Sequence, residues 1–429
     1  ILFHLFLGVL LYNFSFISSY IGFFIIGFGI FSILFHSYDH LTMTLYFISY
    51  IVGFEVLLRM CGANLVWEFG KYSVMFFVIL GMIRQNFKLH IQIPISLYLL
   101  LLLPSIIYLP IDSFNSWRQN VAFNLAGPAC IFLLSNYLNS KKINKQQLIN
   151  IFFFALLPIL SMSVFVWLKM PSFQSYIFTP HSNPTTSGGY GPNQVSIIFG
   201  FIITCLFFGQ ITKRYLTGSF IIDIFCLILF TSLGLLTFSR GGMISAIIAI
   251  VFGVSYFFYR DANKIQFFVK TIFLLIVSLF VWFSISTLTN DVIQKRYNIL
   301  GRSYGEKIII DLTGRAEVFN TDLRIFMDNI ITGVGPGMAQ YIRPMYGYKA
   351  TAAHTEFSRM LSEHGLLGLF SLIIIVIFPI YTLFSIDSNI GKTIKIVFSF
   401  LALLTMSHAA LRIAMPCFIY ALLIPNYDN

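Results

Sequence analysis

Residues 267–286 read FFVKTIFLLIVSLFVWFSIS, twenty positions with one charge, at Lys270. A helix of about 20 apolar residues matches the hydrocarbon thickness of a bilayer, so this stretch is predicted to cross a membrane. The next 78 positions differ in character. From Thr287 to His364 no run of comparable length and hydropathy recurs, and the segment carries Arg296, Arg302, Arg315, Arg324, Arg343, Lys349, His354, Arg359 and His364. Apolar sequence then resumes. The pattern is that of a helical membrane protein with one sizeable, cationic loop.

On the N-terminal side of this pair, further spans are predicted near 41–59, 71–84, 92–110, 119–138, 149–169, 194–211, 218–238 and 242–259. Two short spans fall within 1–36, and 365–385, 393–411 and a short piece at 413–424 come after the loop. About 12 to 14 transmembrane helices are expected, in an all-α polytopic membrane protein. Composition agrees: 58 % of the 429 residues are hydrophobic and 10 % are charged, against about 25 % charged in soluble domains. We expect one integral membrane domain, with 1–286 as helices and short loops, 287–364 as the large loop, and 365–429 as the C-terminal helices. The chain opens on Ile1 inside an apolar run, so the true N-terminus is expected to be missing, and no cleavable signal peptide is recognised.

The formal charge is +11, from 27 basic and 16 acidic residues. Cytoplasmic loops of membrane proteins are enriched in lysine and arginine. Placing Lys141, Lys142 and Lys145 inside puts Arg84, Lys88, Lys213–Arg214, Arg260–Lys264 and Lys392 inside as well. The loops 59–70, 111–118, 170–193 and 287–364 then fall outside. The large loop is therefore cationic on the side where cations are usually sparse, and an anionic substrate supplies a cause. Nucleic acid does not, because no basic stripe is interleaved with aromatics on a soluble module. The five cysteines form no CxxC, which argues against disulfides and zinc. With no DxD, no His/Asp cluster and no Walker loop, neither a metal nor another cofactor is expected.

Three helices are predicted within the loop, near 291–300, over about 314–329, and from near Ala353 toward Gly365. Phe319, Leu323, Phe326 and Ile330 recur at helical spacing and predict the apolar face of the second. Phe357 and Leu361 share one side of the third. The other long outer loop, 170–193, lacks periodicity and contains Gly188-Gly-Tyr-Gly-Pro192, so it is predicted to be irregular.

Several residues in this frame could carry chemistry. Arg240, in Ser239-Arg-Gly-Gly242, lies at the outer end of a span, where an arginine either serves function or snorkels to the interface. The two glycines beside it would let another backbone or a phosphate come close. Arg315 is predicted to begin the second loop helix, where free N–H groups and the helix dipole favour anions, or else to be a solvated surface residue. His354 is placed in the first turn of the third helix, where the dipole keeps imidazole neutral and able to accept a proton; an ordinary interfacial histidine is the alternative. Arg343, Arg359, Arg59, Arg118 and Arg412 extend the outer basic patch. Arg59 with Glu55, Lys71 with Glu68, and Arg359 with Glu363 stand at helical pairing distance, which predicts structural ion pairs.

Taken in order, Ser239-Arg-Gly-Gly242, Gly314-Arg315, Gly333-Val-Gly-Pro-Gly337 and His354-Thr-Glu-Phe-Ser-Arg-Met-Leu-Ser-Glu-His-Gly365 resemble the O-antigen ligase and O-antigen polymerase family of bacterial envelope proteins. The resemblance is best over about 190–385; Val66-Trp-Glu-Phe-Gly-Lys-Tyr72 adds to it. It implies a metal-independent glycosyltransferase of the inner membrane with its site on the periplasmic side, and attack from the face opposite the leaving group would invert the anomeric centre. The donor would be a glycan on undecaprenyl diphosphate. The acceptor would be lipid A–core for a ligase, or a second lipid-linked glycan for a polymerase. Carried over by motif, Arg240 and Arg315 would hold the diphosphate and His354 would activate the acceptor hydroxyl. Thr355 stands after the histidine where many members have Asn. A flippase or other transporter is the rival class, but transporters favour paired repeats and midplane sites, and no half-to-half symmetry is visible.

Overall fold

The helix Lys145–Lys169 shows how these elements form. Asn144 caps it, its side chain accepting from the Gln147 N–H at 2.9 Å while the Gln147 side chain accepts from the Asn144 N–H at 2.9 Å. This capping box satisfies two donors that the first turn would otherwise leave open. Leu148, Ile151, Phe152, Ala155, Leu156 and Ile159 then turn inward.

The computed structural model describes the chain apart from residues 36–38, 64, 86–89, 110–113, 174–175, 261–263, 299–314, 352, 354, 386 and 428–429. In chain order the helices are α1 (Leu2–Asn13), α2 (Ile17–Phe35), α3 (His40–Met60), α4 (Phe69–Arg84), α5 (Ile93–Leu102), α6 (Phe114–Leu138), α7 (Lys145–Lys169) and α8 (Pro192–Ile211). They continue as α9 (Phe220–Leu236), α10 (Arg240–Arg260), α11 (Lys264–Leu288), α12 (Val292–Tyr297) and α13 (Arg315–Asp328). Last come α14 (Ala339–Ile342), α15 (Glu356–Thr382), α16 (Asn389–Ala409) and α17 (Ala414–Ala421). The protein is an all-α polytopic membrane protein. Among the described residues, 9 helices are long and apolar enough to cross a membrane. The lower end of the expected span count is met only by adding the shorter apolar helices Leu2–Asn13, Ile93–Tyr108 and Phe220–Leu236.

Packing between spans relies on small residues, as expected where lipid is as apolar as a leucine side chain. A Cβ at Gly53 of α3 would meet the Ala155 carbonyl oxygen of α7 at 2.4 Å. One at Gly200 of α8 would meet the Gly242 carbonyl oxygen of α10 at the same distance. α10 packs in turn on α16, and α6 on α17.

Polar contacts sort to the two ends of the bundle. At one end Lys141 donates to Gln85 at 2.6 Å, and Lys270 donates to the carbonyls of Gln210 and Ile211 that end α8. There too strand β1 (Lys142–Ile143) pairs in parallel with β2 (Asn426–Tyr427), and Asp387 pairs with Lys395 at 2.7 Å. The loops after α3, α7 and α11 meet at the opposite end, as strict alternation requires.

The large loop departs from expectation in three ways. α13 runs where predicted, but its buried residues are Val318, Thr321, Asp322 and Ile325; Phe319 and Ile330 are 40 % and 44 % exposed. The helix is turned because Asp322 is wholly buried and pairs with the equally buried Arg343 at 2.6 Å. A buried carboxylate must be paired, and this outweighs the apolar stripe. Second, α15 begins at Glu356 rather than near Ala353, because Thr355 is the cap and accepts from the Ser358 N–H at 3.2 Å. Third, α15 breaks at Gly365, with φ 60° and ψ −140°, so a loop helix and a membrane helix meet there. α12 covers the start of the predicted 291–300 helix, and residues 299–300 lie outside the described part.

Candidate functional site

The glycine-rich turn 333–337 fits over the break in α15. Breaking a helix leaves carbonyls without their usual donors. The Val334 N–H donates to the Ser362 carbonyl at 3.1 Å, and the Gly335 N–H to that of Glu363 at 3.0 Å. Leu366 completes the bracket by donating to Ile330 at 2.7 Å. Positive φ at Gly333, Gly335 and Gly337 is what lets the turn take this path.

Arg240 is the first residue of α10, just past a tight turn in which Phe238 has φ 53°. Arg296 of α12 secures that turn: its Nε donates to the Phe238 carbonyl at 2.8 Å and its Nη1 to Pro180 at 3.4 Å. Arg240 Nη1 donates back to the Arg296 carbonyl at 3.2 Å. Below it, Ser239 Oγ donates to Asn193 Oδ1 at 2.9 Å and lies 3.1 Å from His408 Nε2. The adjacent glycines serve the fold. A Cβ on Gly241 would lie 2.0 Å from the His408 ring, and one on Gly242 2.3 Å from the Ser196 backbone. Chain segments occupy the space beside these glycines.

Arg315 is the first residue of α13 and is half-buried. Burial lowers its pKa, and the nearby Arg240 charge lowers it further. The two arginines are near enough for the charge of one to act on the other. Among the described residues no carboxylate stands within ion-pair distance of Arg315. Tyr297, in the same neighbourhood, has a buried hydroxyl with no hydrogen-bond partner among the described residues.

The remaining arginines of the patch have different surroundings. Arg343 donates to Asp322 through Nε and Nη2 and to the Thr351 carbonyl through Nη1. Burial pushes the Asp322 carboxyl above its ordinary value, and Arg343 pulls it back. Arg359 pairs with Glu356 and with Glu363 (2.9 Å) and donates to Asn124 Oδ1 at 2.7 Å. Arg59 pairs with Glu55 at 2.7 Å and lies 3.9 Å from Glu68, which Lys71 holds at 2.5 Å. The three ion pairs expected from helical spacing are present. Arg412 donates to the Ala353 carbonyl at 2.7 Å, with burial and Arg359 lowering its pKa. Arg118 is exposed on α6. His354 lies outside the described residues.

Residues 224–373 match the family model described as O-antigen ligase. That stretch is similar to the O-antigen ligase family. No curated protein matches the chain. The matched stretch contains Arg240, Arg296, Arg315, the glycine-rich turn and the position of His354, and the similarity implies a glycosyltransferase-type enzyme. Arg59, Arg118, His408 and Arg412 lie outside the matched stretch. Sequence reasoning named Arg296 only as one of the loop's cations and missed Asn193 and His408. Their partners are 58, 46 and 169 positions away, beyond any local pattern.

Proposed function

We propose that this protein is an inner-membrane glycosyltransferase that moves a glycan from undecaprenyl diphosphate to an acceptor hydroxyl on the periplasmic face, with lipid A–core as acceptor. The observation that carries this reading is the Arg240–Arg315 approach, in which Arg315 has no carboxylate partner among the described residues. Two like charges within electrostatic reach and partly out of water repel one another, and a diphosphate would offset that cost. Arginine also offers the planar fork that matches phosphate oxygens. The periplasmic placement rests on the lysine and arginine bias of the opposite loops.

In the proposed reaction the acceptor oxygen bonds to the anomeric carbon as the bond from that carbon to the diphosphate oxygen breaks. Attack opposite the leaving group inverts the anomeric centre. His354 takes the hydroxyl proton, and Arg240 and Arg315 receive the negative charge that grows on the leaving diphosphate. Fixed cations in a partly dry site are well suited to that task. A lipid-linked repeat unit in place of lipid A–core would make the same chemistry a polymerisation.

A deletion strain tests the assignment. Loss of all lipid-A-linked polymer, with free lipid-linked polymer accumulating, is the result expected for a ligase. A single repeat unit still attached to the core would assign polymerisation instead. An unchanged surface polysaccharide would overturn both.

A further inference from the structure

A cleft of about 720 Å³ opens at the same end of the bundle as the arginines, between the α3–α4 loop and the first turns of α6. Trp67, Tyr72, Arg118, Asn120, Phe123 and Gln340 line it. Phe123 and Gln340 also line a smaller hollow that reaches Ala353 and Arg412, so the two spaces adjoin. Neither Arg240 nor Arg315 contributes to either wall.

The wall chemistry is specific. Trp67 is 69 % exposed, yet the loop that presents it is pinned: Glu68 beside it is 2 % exposed and held by Lys71, whose Nζ also donates to the Leu411 carbonyl at 2.9 Å. Arg59 stands 5.6 Å from the Trp67 ring and steadies it from the other side. A large exposed aromatic on a pinned loop is a binding platform, since it offers contact area on its open ring surface. In the same lining, the Asn120 and Gln340 amides can each donate and accept, as a row of sugar hydroxyls requires. Arg118 adds one exposed cation.

We propose that this cleft binds the sugar chain of the acceptor, an oligosaccharide bearing an anionic substituent. Its ring faces rest on Trp67 and Tyr72, Asn120 and Gln340 bind its hydroxyls, and Arg118 meets its phosphate or carboxylate. The inference rests on the proposed transfer reaction. Two features favour acceptor over donor. The arginines assigned to the diphosphate are absent from the walls, and the far end reaches Ala353, next in sequence to the proposed base.

The test uses the full-length protein in detergent and three probes: a phosphorylated core oligosaccharide freed of lipid A, its dephosphorylated form, and undecaprenyl diphosphate. Trp67→Ala is expected to weaken binding of both oligosaccharides by about tenfold or more, as loss of an aromatic anchor does. Trp67→Phe should restore most of it, and binding of undecaprenyl diphosphate should not change. Arg118→Gln should weaken only the phosphorylated oligosaccharide. If wild type binds no oligosaccharide, or Trp67→Ala binds it as wild type does, the cleft is not the subsite. A loss confined to undecaprenyl diphosphate would overturn the assignment by making the cleft part of the donor site. Failure of the diphosphate reading is separate: Arg315→Lys would then leave undecaprenyl diphosphate binding intact, whatever the oligosaccharides do.

Discussion

Gly333 and Gly365 touch backbone to backbone. A Cβ on Gly365 would fall 2.6 Å from the Gly333 nitrogen, and one on Gly333 would fall 2.4 Å from the Glu363 carbonyl carbon. The contact joins the large loop to the membrane helix at the point where α15 breaks. Gly365→Ala combines a backbone strain of about 1–3 kcal/mol with a clash against immovable backbone. Gly347→Ala is the control, since Gly347 also has positive φ but nothing lies within 4 Å of its would-be Cβ. Thermal melts in detergent should show Gly365→Ala clearly less stable than Gly347→Ala. Equal melting temperatures would mean that the bracket is loose.

Asp322 and Arg343 make a second testable contact, because both side chains are fully buried. Removing one partner strands a charge, and breaking a buried pair costs about 3–5 kcal/mol. Asp322→Asn and Arg343→Met should each lower the melting temperature strongly. Asp322→Leu combined with Arg343→Met should recover much of the loss, because no unpaired charge remains. A double variant as unstable as the singles would show that the pair holds the loop through more than charge neutralisation.

These contacts separate what local sequence announces from what it hides. Glu55 with Arg59 and Arg359 with Glu363 lie one helical turn apart, so local spacing exposed them. Asp322 and Arg343 lie 21 positions apart on different elements, and nothing local announced their pairing. For that reason the apolar stripe of Phe319 and Ile330 pointed to the wrong face of α13. Gly365 was hidden in another way: at the edge of an apolar run, a glycine that breaks a helix looks like one that merely begins a span. The starts of α10 and α13 were visible because Arg240 and Arg315 interrupt apolar or loop sequence at a boundary. Their approach to one another was not, since it depends on how the loop folds back.

The diphosphate reading predicts that charge alone will not suffice at either arginine. Arg240→Lys and Arg315→Lys keep the cation but lose the planar fork. A hydrogen bond to a charged group contributes about 1.5–3 kcal/mol, so each change should weaken undecaprenyl diphosphate binding by roughly 10- to 100-fold. Melting temperatures should move little, since neither residue belongs to the apolar core. Wild-type donor affinity in both lysine variants would remove these arginines from the diphosphate site.

Metal independence is a separate expectation, motivated by the lack of a His/Cys/Asp/Glu cluster among the described residues. Glycan transfer by the purified protein should proceed at an unchanged rate in excess chelator. A strict requirement for Mg²⁺ or Mn²⁺ would show that guanidinium groups alone do not stabilise the leaving diphosphate.

The sharpest prediction separates binding from chemistry at His354. A general base acts on the acceptor hydroxyl, and its removal typically costs about 10²–10⁴-fold in rate. The arginines act on the diphosphate, so the two roles can be measured apart. His354→Ala should bind undecaprenyl diphosphate as wild type does while transfer falls by about that factor. Arg315→Lys should show the converse at the binding step. A thermal melt of His354→Ala beside wild type supplies the folding check. A low transfer rate with an unchanged melt reports on chemistry rather than folding. If His354→Ala transfers glycan at the wild-type rate, the histidine is an interfacial residue and the base must be sought elsewhere.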